Sequence, residues 1–234
     1  MTFEIHKKDS RGHANFGWLQ ANYSFSFANH YDPERMGFGD LLVLNDDIIA
    51  ANRGFPEHPH KDMEIISIPI KGALAHDDST GANDTVVAGE VQAMSAGTGI
   101  LHSEYNPSET NDTHSLQLWI KPHTRNVTPK YDKKSFPLEK NTFITIVSGD
   151  KQEEKALFIY QDAKIKRAII EKQYSLSYII PEGFGVYIFV ISGRARILGQ
   201  ELLSRDAIAI HGEQEIPIEG IDEADILCIE TRID

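Results

Sequence analysis

Two short polar clusters constrain this chain more than any other feature, because each carries two potential metal ligands at positions i and i+2. They are His58-Pro59-His60 and His102-Ser103-Glu104. Side chains at i and i+2 lie on the same face of a β-strand, so this spacing favours strands at both places. If the two strands lie side by side, three imidazoles and one carboxylate converge on one point. The sequence therefore predicts a metal site between two neighbouring strands.

The donor types of this predicted site narrow the choice of metal. Imidazole nitrogens and a carboxylate oxygen suit Fe(II), Mn(II), Ni(II), Cu(II) or Zn(II). A tight turn at Gly97-Thr98-Gly99 precedes the second cluster, as expected where a strand begins. A lone His-x-His pair is often an ordinary surface feature. A second pair with the same spacing on a separate strand makes metal ligation the better interpretation.

Short β-rich runs, separated by glycine, Asn, Asp and Pro, dominate the rest of the chain. Tyr23–Phe27 alternates with a period of two, and Leu41–Leu44 and Ile48–Ala50 are predicted strands on either side of a turn at Asn45–Asp47. No segment shows the long, capped periodicity of an α-helix. Many short strands separated by such turns predict an all-β protein of the sandwich or barrel type.

A proline-containing stretch divides the chain into two β-rich halves. Residues 122–141 are charged, contain three prolines and show little alternation, which predicts a linker or crossing segment between domains at 1–121 and 142–234. The segment Phe189–Ala195 is similar to Ile68–Leu74, since both contain a strand, a polar-glycine turn and a returning strand. This weak repeat predicts two copies of one barrel. The second copy lacks any His-x-His pair, so it is predicted to bind no metal.

One run in the C-terminal half predicts how the two barrels meet. Tyr187–Ile191 is apolar at every position, unlike a strand with one face in water. Both faces of this strand should therefore be buried. We expect one face to fill its own barrel and the other to meet the partner domain or the crossing segment.

The composition argues against several classes of function. With a formal net charge of -12, the surface should repel phosphate backbones and anionic lipids, so neither nucleic acid nor a membrane is a predicted partner. The single cysteine, Cys228, cannot form an internal disulfide, and the first residues lack the apolar core of a signal peptide. A cytoplasmic monomer is expected, with a protein partner left open. The sequence contains no glycine-rich phosphate loop and no nucleophile elbow, which argues against a nucleotide-dependent enzyme and a serine hydrolase.

Longer segments around both clusters resemble the two cupin motifs. Gly54–Glu64 resembles the first motif and Met94–Asn106 the second. Their residue patterns are similar to those of the pirin family, with His-Pro-His-x-Asp-Met-Glu followed by Met-Ser-Ala-Gly-x-Gly-x-x-His-Ser-Glu-x-Asn. Outside the motifs, Phe25–Asn29, Leu74–Ser79 and Leu116–Ile120 are also similar to pirin-like proteins. The resemblance is dense in the N-terminal half and faint beyond the linker, where the chain looks like the degenerate second cupin of bacterial members.

The resemblance implies a bicupin, an all-β fold of two β-barrels (double-stranded β-helix or jelly-roll), with iron in the N-terminal barrel. The metal ligands carried over from the family are His58, His60, His102 and Glu104. One divalent metal is expected, Fe(II) by the resemblance, with Mn, Ni, Cu, Co or Zn as alternatives. Some pirin-like proteins cleave the flavonol quercetin with O2 and release carbon monoxide, whereas the eukaryotic protein is an iron-dependent transcription coregulator.

These family activities leave two functions open. The first is a quercetin 2,3-dioxygenase-type oxidoreductase, with a flavonol and O2 as its small-molecule partners. The second is a non-enzymatic iron-binding regulator or metal sensor. A different cupin activity, such as an isomerase or another dioxygenase, is a third class.

Three further residues near the motifs receive separate interpretations. Glu104 is the predicted catalytic residue, a base that takes the proton of the flavonol hydroxyl. In many other cupins the acidic ligand lies in the first motif, here Glu64, which shares the parity of His58 and His60 on an unbroken strand. Glu104 is preferred because it lies two residues from a ligand, and Glu64 is then expected to line the site or support a ligand. His76 is interpreted as a surface or structural histidine.

Overall fold

The computed structural model describes residues 2–233. Over this range the chain forms 22 β-strands and one 3-10 turn at Lys8–Ser10, with no α-helix. No helix within these residues is long and apolar enough to cross a membrane. The strand content confirms the all-β class predicted from the sequence.

The strands divide between two barrels. In chain order the first twelve are β1 (Thr2–His6), β2 (Gly12–Asn15), β3 (Leu19–Tyr23), β4 (Leu41–Ile49), β5 (Gly54–His60), β6 (Glu64–Lys71), β7 (Ala73–Asp78), β8 (Asn83–Val87), β9 (Glu90–Ser95), β10 (Ile100–Tyr105), β11 (Thr113–Ile120) and β12 (Lys130–Ser135). The remaining ten are β13 (Ile144–Ser148), β14 (Leu157–Phe158), β15 (Lys164–Ile170), β16 (Ser175–Ile179), β17 (Phe184–Ser192), β18 (Arg194–Ile197), β19 (Gln200–Leu203), β20 (Ala207–His211), β21 (Glu215–Gly220) and β22 (Ala224–Arg232).

Each barrel contains one seven-stranded and one four-stranded sheet. The N-terminal barrel combines β12-β9-β6-β11-β4-β3-β2 with β5-β10-β7-β8. The C-terminal barrel combines β1-β20-β17-β22-β15-β13-β14 with β16-β21-β18-β19. Two sheets per barrel give every strand a face that can be buried against the opposite sheet. The chain is thus a pair of similar barrels joined end to end in sequence.

Two strands lie outside the barrel bounds expected from the sequence. β1, at the N-terminus, pairs antiparallel with β20 of the C-terminal barrel. β12 lies inside the segment 122–141 and pairs antiparallel with β9 of the N-terminal barrel. The N-terminal barrel is therefore built from the contiguous strands β2–β12, whereas the C-terminal barrel takes β1 from the other end of the chain. The division of the chain at 121 and 142 stays a prediction.

The two seven-stranded sheets pack against each other through a dry layer, the inter-barrel core. The strand β17 shows how this layer arises, because its side chains alternate between two apolar clusters. Tyr187, Phe189 and Ile191 lie in the inter-barrel core, whereas Ile188 and Val190 fill the C-terminal barrel. The prediction that both faces of this strand are buried is confirmed. From the N-terminal barrel the inter-barrel core receives Leu41, Leu44, Ile66, Ile68, Leu116, Leu118 and Ile120.

The opposite faces of the N-terminal strands give that barrel a partly polar interior. Asn45–Asp47, predicted as a turn, lies in the middle of the continuous strand β4, so that prediction is wrong. All three side chains are buried. Asn45 and Asp47 line a cavity inside the N-terminal barrel, together with Gln117 of the neighbouring strand β11. The alternation that sends leucines into the inter-barrel core therefore sends polar groups toward the cavity.

Candidate metal centre

The two polar clusters lie on neighbouring antiparallel strands, as their spacing predicts. In the pairing of β5 with β10, His102 is opposite His58, and Ile100 is opposite His60. The register shifts between His102 and Glu104, where the strand is irregular. Gly54 permits this close pairing, because a Cβ on it would lie 2.1 Å from the carbonyl oxygen of Glu104.

Three imidazoles form a compact group, the three-histidine cluster of His58, His60 and His102. Their candidate ligand atoms lie within 4.8 Å of one another. The Nε2 atoms of His58 and His102 are 3.1 Å apart. Metal–nitrogen bonds of about 2.1 Å at right angles would separate two ligand atoms by about 3.0 Å. The spacing of these nitrogens therefore fits a shared divalent metal.

The surroundings of the three-histidine cluster keep His60 and His102 neutral and orient His58. Burial, followed by repulsion from the neighbouring histidines, lowers the pKa of His60 to about 4 and that of His102 to about 3. The Nδ1 atom of His58 lies 2.8 Å from the carbonyl oxygen of Pro56, which can only accept a hydrogen bond. That contact places the proton on Nδ1 and leaves Nε2 as a lone-pair donor. Such neutral nitrogens suit metal binding at neutral pH.

Glu104 is buried at the centre of a hydrogen-bond network. Ser67 and Gln92 donate to its Oε1 atom, each over 2.9 Å, and Gln117 donates to its Oε2 atom over 2.6 Å. An ionised carboxylate accepts hydrogen bonds only, so these three donors match the charged form. Trp119 in turn donates to the amide oxygen of Gln117 over 3.2 Å. The network fixes the position of the carboxylate beside His102.

His76 belongs to a second group of candidate ligand atoms. Atoms of His76, His102 and Glu104 lie within 4.8 Å of one another. His76 is only 2 % exposed, so its interpretation as a surface residue is wrong. Its Nε2 atom lies 2.8 Å from an oxygen of Asp78, and its ring stacks on Tyr131 with centroids 4.5 Å apart. These contacts agree with a structural role, which the sequence also allowed.

A cavity of about 300 Å³ opens beside the three-histidine cluster. Its walls are mainly aromatic and aliphatic, with polar groups from both sheets of the barrel. Phe27 lies edge-on to Trp119 with ring centroids 5.4 Å apart, and Trp18 supports Phe55 in the same way. The lining consists of Leu19, Ala21, Tyr23, Phe27, Asn45, Asp47, Phe55, Pro56, His58, Glu104, Gln117 and Trp119. Flat apolar walls with a few polar groups are typical of a site for a small aromatic ligand.

Comparison with known proteins places both halves of the chain in known families. Residues 4–120 match the pirin family model, and residues 145–231 match the quercetinase C-terminal cupin domain. A protein of Escherichia coli strain K12 named quercetin 2,3-dioxygenase is 42% identical over 224 residues, covering 95% of this chain and 96% of that protein. This chain belongs to the pirin family. A pirin-like protein of Caulobacter vibrioides is 39% identical over 225 residues, covering 95% of this chain and 97% of that protein.

The pirin assignment extends to the three-dimensional fold. The crystal structure of the bacterial pirin YhhW from Escherichia coli in complex with nickel(II) matches with a TM-score of 0.95. It is 39% identical, and the match covers 100% of both chains. The bicupin fold expected from the sequence is therefore confirmed. In this pirin, within residues 2–233, both groups of candidate metal ligands lie in the N-terminal barrel.

Glu64, the alternative acidic ligand, faces away from the three-histidine cluster. The extended backbone is interrupted between β5 and β6, where Asp62 adopts a φ of 46°. Glu64 therefore does not share a face with His58 and His60, as it would on an unbroken strand. The side chain of Glu64 instead accepts a hydrogen bond from Ser95 Oγ over 2.6 Å. Burial raises the pKa of Glu64 to about 7, opposed by hydrogen bonds from Ser95 and from the Tyr160 backbone. The expectation that Glu64 lines the site or supports a ligand is not met.

Several residues of the site were not identified from the sequence alone. Gln92 and Ser67 hold Glu104, while Asn45 and Asp47 form the polar wall of the cavity. The sequence did not identify Asn45 and Asp47 as strand residues of the site, because Asn and Asp ordinarily indicate turns.

Proposed function

We propose that this pirin is a metal-dependent dioxygenase that cleaves a flavonol such as quercetin with O2 and releases carbon monoxide. The observation that carries the proposal is the three-histidine cluster and Glu104 beside an aromatic-walled cavity. The cavity suits a flat aromatic ligand, and the adjacent donors suit a divalent metal. The name of the Escherichia coli relative, quercetin 2,3-dioxygenase, supports this choice of substrate.

His58, His60, His102 and Glu104 would hold one divalent transition metal. We propose Fe(II), with Mn, Ni, Cu, Co or Zn as alternatives, and the nickel(II) complex of the related pirin YhhW supports a divalent ion. When bound, such a metal supplies Lewis acidity that favours the deprotonated form of a flavonol hydroxyl. Neutral imidazoles and a single carboxylate leave the centre with a net positive charge, which suits an anionic ligand.

Glu104 would accept the proton from the 3-hydroxyl group of the flavonol, a role that requires its carboxylate to loosen from the metal. Gln92, Ser67 and Gln117 orient its two oxygens, so the carboxylate cannot rotate freely when it takes the proton. Phe27, Phe55 and Trp119 would hold the planar rings and exclude water from the reacting atoms. In this scheme the protein contributes a fixed base and a shaped, largely apolar site.

Aerobic turnover of quercetin by the Fe(II)-loaded protein tests this function. The loss of the visible quercetin absorption and the release of carbon monoxide, trapped by a ferrous haem protein, are measured together. We expect both in air and neither under argon, because O2 is a substrate. If quercetin binds but no carbon monoxide forms with any of the six metals, the dioxygenase proposal is wrong. That result would favour the non-enzymatic regulator or metal sensor.

A further inference from the structure

The polar wall of the cavity contains buried groups that have no partner within the protein. Asn45 and Asp47 are 3 % and 5 % exposed, and both line the cavity. The Oδ1 atom of each is buried and meets no hydrogen-bond partner among the described residues. Leaving a buried polar atom unpaired costs stability, so two such atoms on neighbouring residues of one cavity lining indicate a place where a ligand completes the hydrogen bonds after a small side-chain adjustment.

The intervening residue, Asp46, does not share this property. Its side chain points to the other side of β4, where Arg11 and Arg205 each approach its oxygens to 3.2 Å. His114 contacts the same carboxylate. Because successive side chains of a strand alternate, satisfying Asp46 outside the barrel leaves its two neighbours inside it. The side chains of Asn45 and Asp47 therefore lie on the cavity side of β4 and not at the interface between the barrels.

The strands beside β4 leave space in front of Asp47. Its neighbours across the sheet are Ala21 on β3 and Ser115 on β11, both with small side chains. Asn45 lies between Tyr23 and Gln117 in the same sheet. A ligand group can thus approach Asp47 closely, whereas larger side chains flank Asn45.

The charge around Asp47 favours its neutral, protonated form. Burial, followed by the charges of Asp46 and Glu104, raises the pKa of Asp47 to about 8. The groups facing the cavity near it are Glu104 from β10, His58 from β5 and Tyr23 from β3. A protonated carboxyl group can both donate and accept a hydrogen bond.

We propose that Asp47 and Asn45 form a hydroxyl-recognition subsite that selects planar, phenol-bearing ligands for this cavity. A phenolic O–H can accept a hydrogen bond from the protonated carboxyl group of Asp47 and donate one to the unpaired oxygen of Asn45. One ligand hydroxyl can therefore pair with both residues. A ligand carboxylate is disfavoured there, because Asp46 and Glu104 place negative charge nearby. This inference deepens the proposed function, since it rests on an aromatic ligand occupying the cavity.

The test compares two flavonols with two variants of the full-length, metal-loaded protein under argon, where nothing turns over. Quercetin carries several ring hydroxyls, and 3-hydroxyflavone retains only the 3-hydroxyl. Affinity is measured from the quenching of tryptophan fluorescence, since Trp119 lines the cavity and Trp18 contacts Phe55. Asp47→Leu keeps the approximate size without hydrogen bonding, and Asp47→Asn keeps hydrogen bonding. Asp112→Asn, at an exposed position, is the control.

We expect Asp47→Leu to weaken quercetin binding about tenfold, the effect of one lost hydrogen bond, and to leave 3-hydroxyflavone within about twofold. Asp47→Asn should stay within about threefold of wild type for both. The subsite is contradicted if Asp47→Leu binds quercetin as tightly as wild type, or weakens both flavonols equally. Hydroxyl-selective binding without carbon monoxide release would support the proposed subsite and contradict only the proposed dioxygenase activity.

Discussion

At the scale of single residues, the two glutamates near the motifs have different surroundings and should respond differently to mutation. Glu104 accepts three hydrogen bonds beside His102, whereas Glu64 bonds Ser95 on the opposite face of its sheet. Glu104→Gln introduces an N–H group among donors and removes the charge. We expect it to abolish carbon monoxide release and to weaken metal affinity about 10- to 100-fold, by comparison with other changes at metal sites.

Glu64→Gln is the matched control for this prediction. It keeps a hydrogen-bond acceptor for Ser95, so metal content should equal that of wild type, with at most a modest change in rate. Elemental analysis after dialysis and the carbon monoxide assay measure both effects. The reverse pattern would make Glu64 the acidic ligand and Glu104 a supporting residue.

Asp47 should make the stability of the metal-free protein depend on pH in a recognisable direction. Its pKa rises from 3.8 to about 8 on folding, mainly through burial. Between these values the folded state holds a proton that the unfolded state has lost, so the free energy of unfolding falls as pH rises. Asp47→Asn cannot titrate. Its stability relative to wild type should therefore increase from pH 4 to pH 8 by up to ~1.4 kcal/mol per pH unit.

Urea denaturation of chelator-treated protein at several pH values measures this difference. The comparison of the two proteins cancels the contribution of His60 and His102, whose lowered pKa values act in the opposite direction. A difference that does not change with pH would show that Asp47 is ionised in the folded protein.

At the scale of strands, the sequence predicted the metal site better than its walls. The i, i+2 spacing brought His58, His60 and His102 together, but the register shifts after His102 and Glu104 falls in a second group with His76 and His102. The strand prediction failed for β4, where local turn propensity at Asn45–Asp47 was overridden by tertiary partners. Those partners, such as Arg205 from the other barrel, are distant in sequence, so a local sequence pattern cannot predict them.

Gly54 should control metal affinity although it is no ligand. A Cβ at this position would lie 2.1 Å from the Glu104 carbonyl oxygen and 2.5 Å from Tyr105 Cα, so Gly54→Ala must push β5 away from β10. We expect a loss of metal affinity of at least about tenfold, because ligand geometry tolerates little displacement. Competition with a chromogenic chelator measures the affinity.

Gly220→Ala provides a control of similar steric severity in the C-terminal barrel. There a Cβ would lie 2.4 Å from the carbonyl oxygen of Glu171. That variant should lose stability and keep its metal affinity. Equal metal affinity in Gly54→Ala and wild type would show that the spacing of β5 and β10 does not set the site.

At the scale of the whole molecule, the two barrels share a core and a strand exchange. The inter-barrel core joins their seven-stranded sheets, β1 crosses to the C-terminal barrel, and Arg205 reaches Asp46 behind the cavity wall. The apolar run in β17 allowed the buried interface to be predicted. The pairing of β1 with the C-terminal barrel could not be predicted, because alternation within a strand does not specify the edge that it joins.

A fragment of residues 1–121 should therefore aggregate or lose activity, although it keeps every proposed metal ligand. It lacks β12, the edge partner of β9, and it exposes the N-terminal face of the inter-barrel core to water. Size-exclusion chromatography and the carbon monoxide assay test this. A soluble, monomeric fragment with full activity would show that the C-terminal barrel is an independent module.

The central claim is that one metal, held by His58, His60, His102 and Glu104, enables O2-dependent cleavage of a flavonol. The most direct test titrates metal-free protein with Fe(II) under argon, then adds quercetin and O2 and measures the rate of carbon monoxide release. We predict a rate that rises linearly and levels off at about one Fe(II) per chain, as one ligand cluster requires. His102→Ala should stay near zero throughout. Release that is independent of added metal, or equal in His102→Ala, would contradict the account.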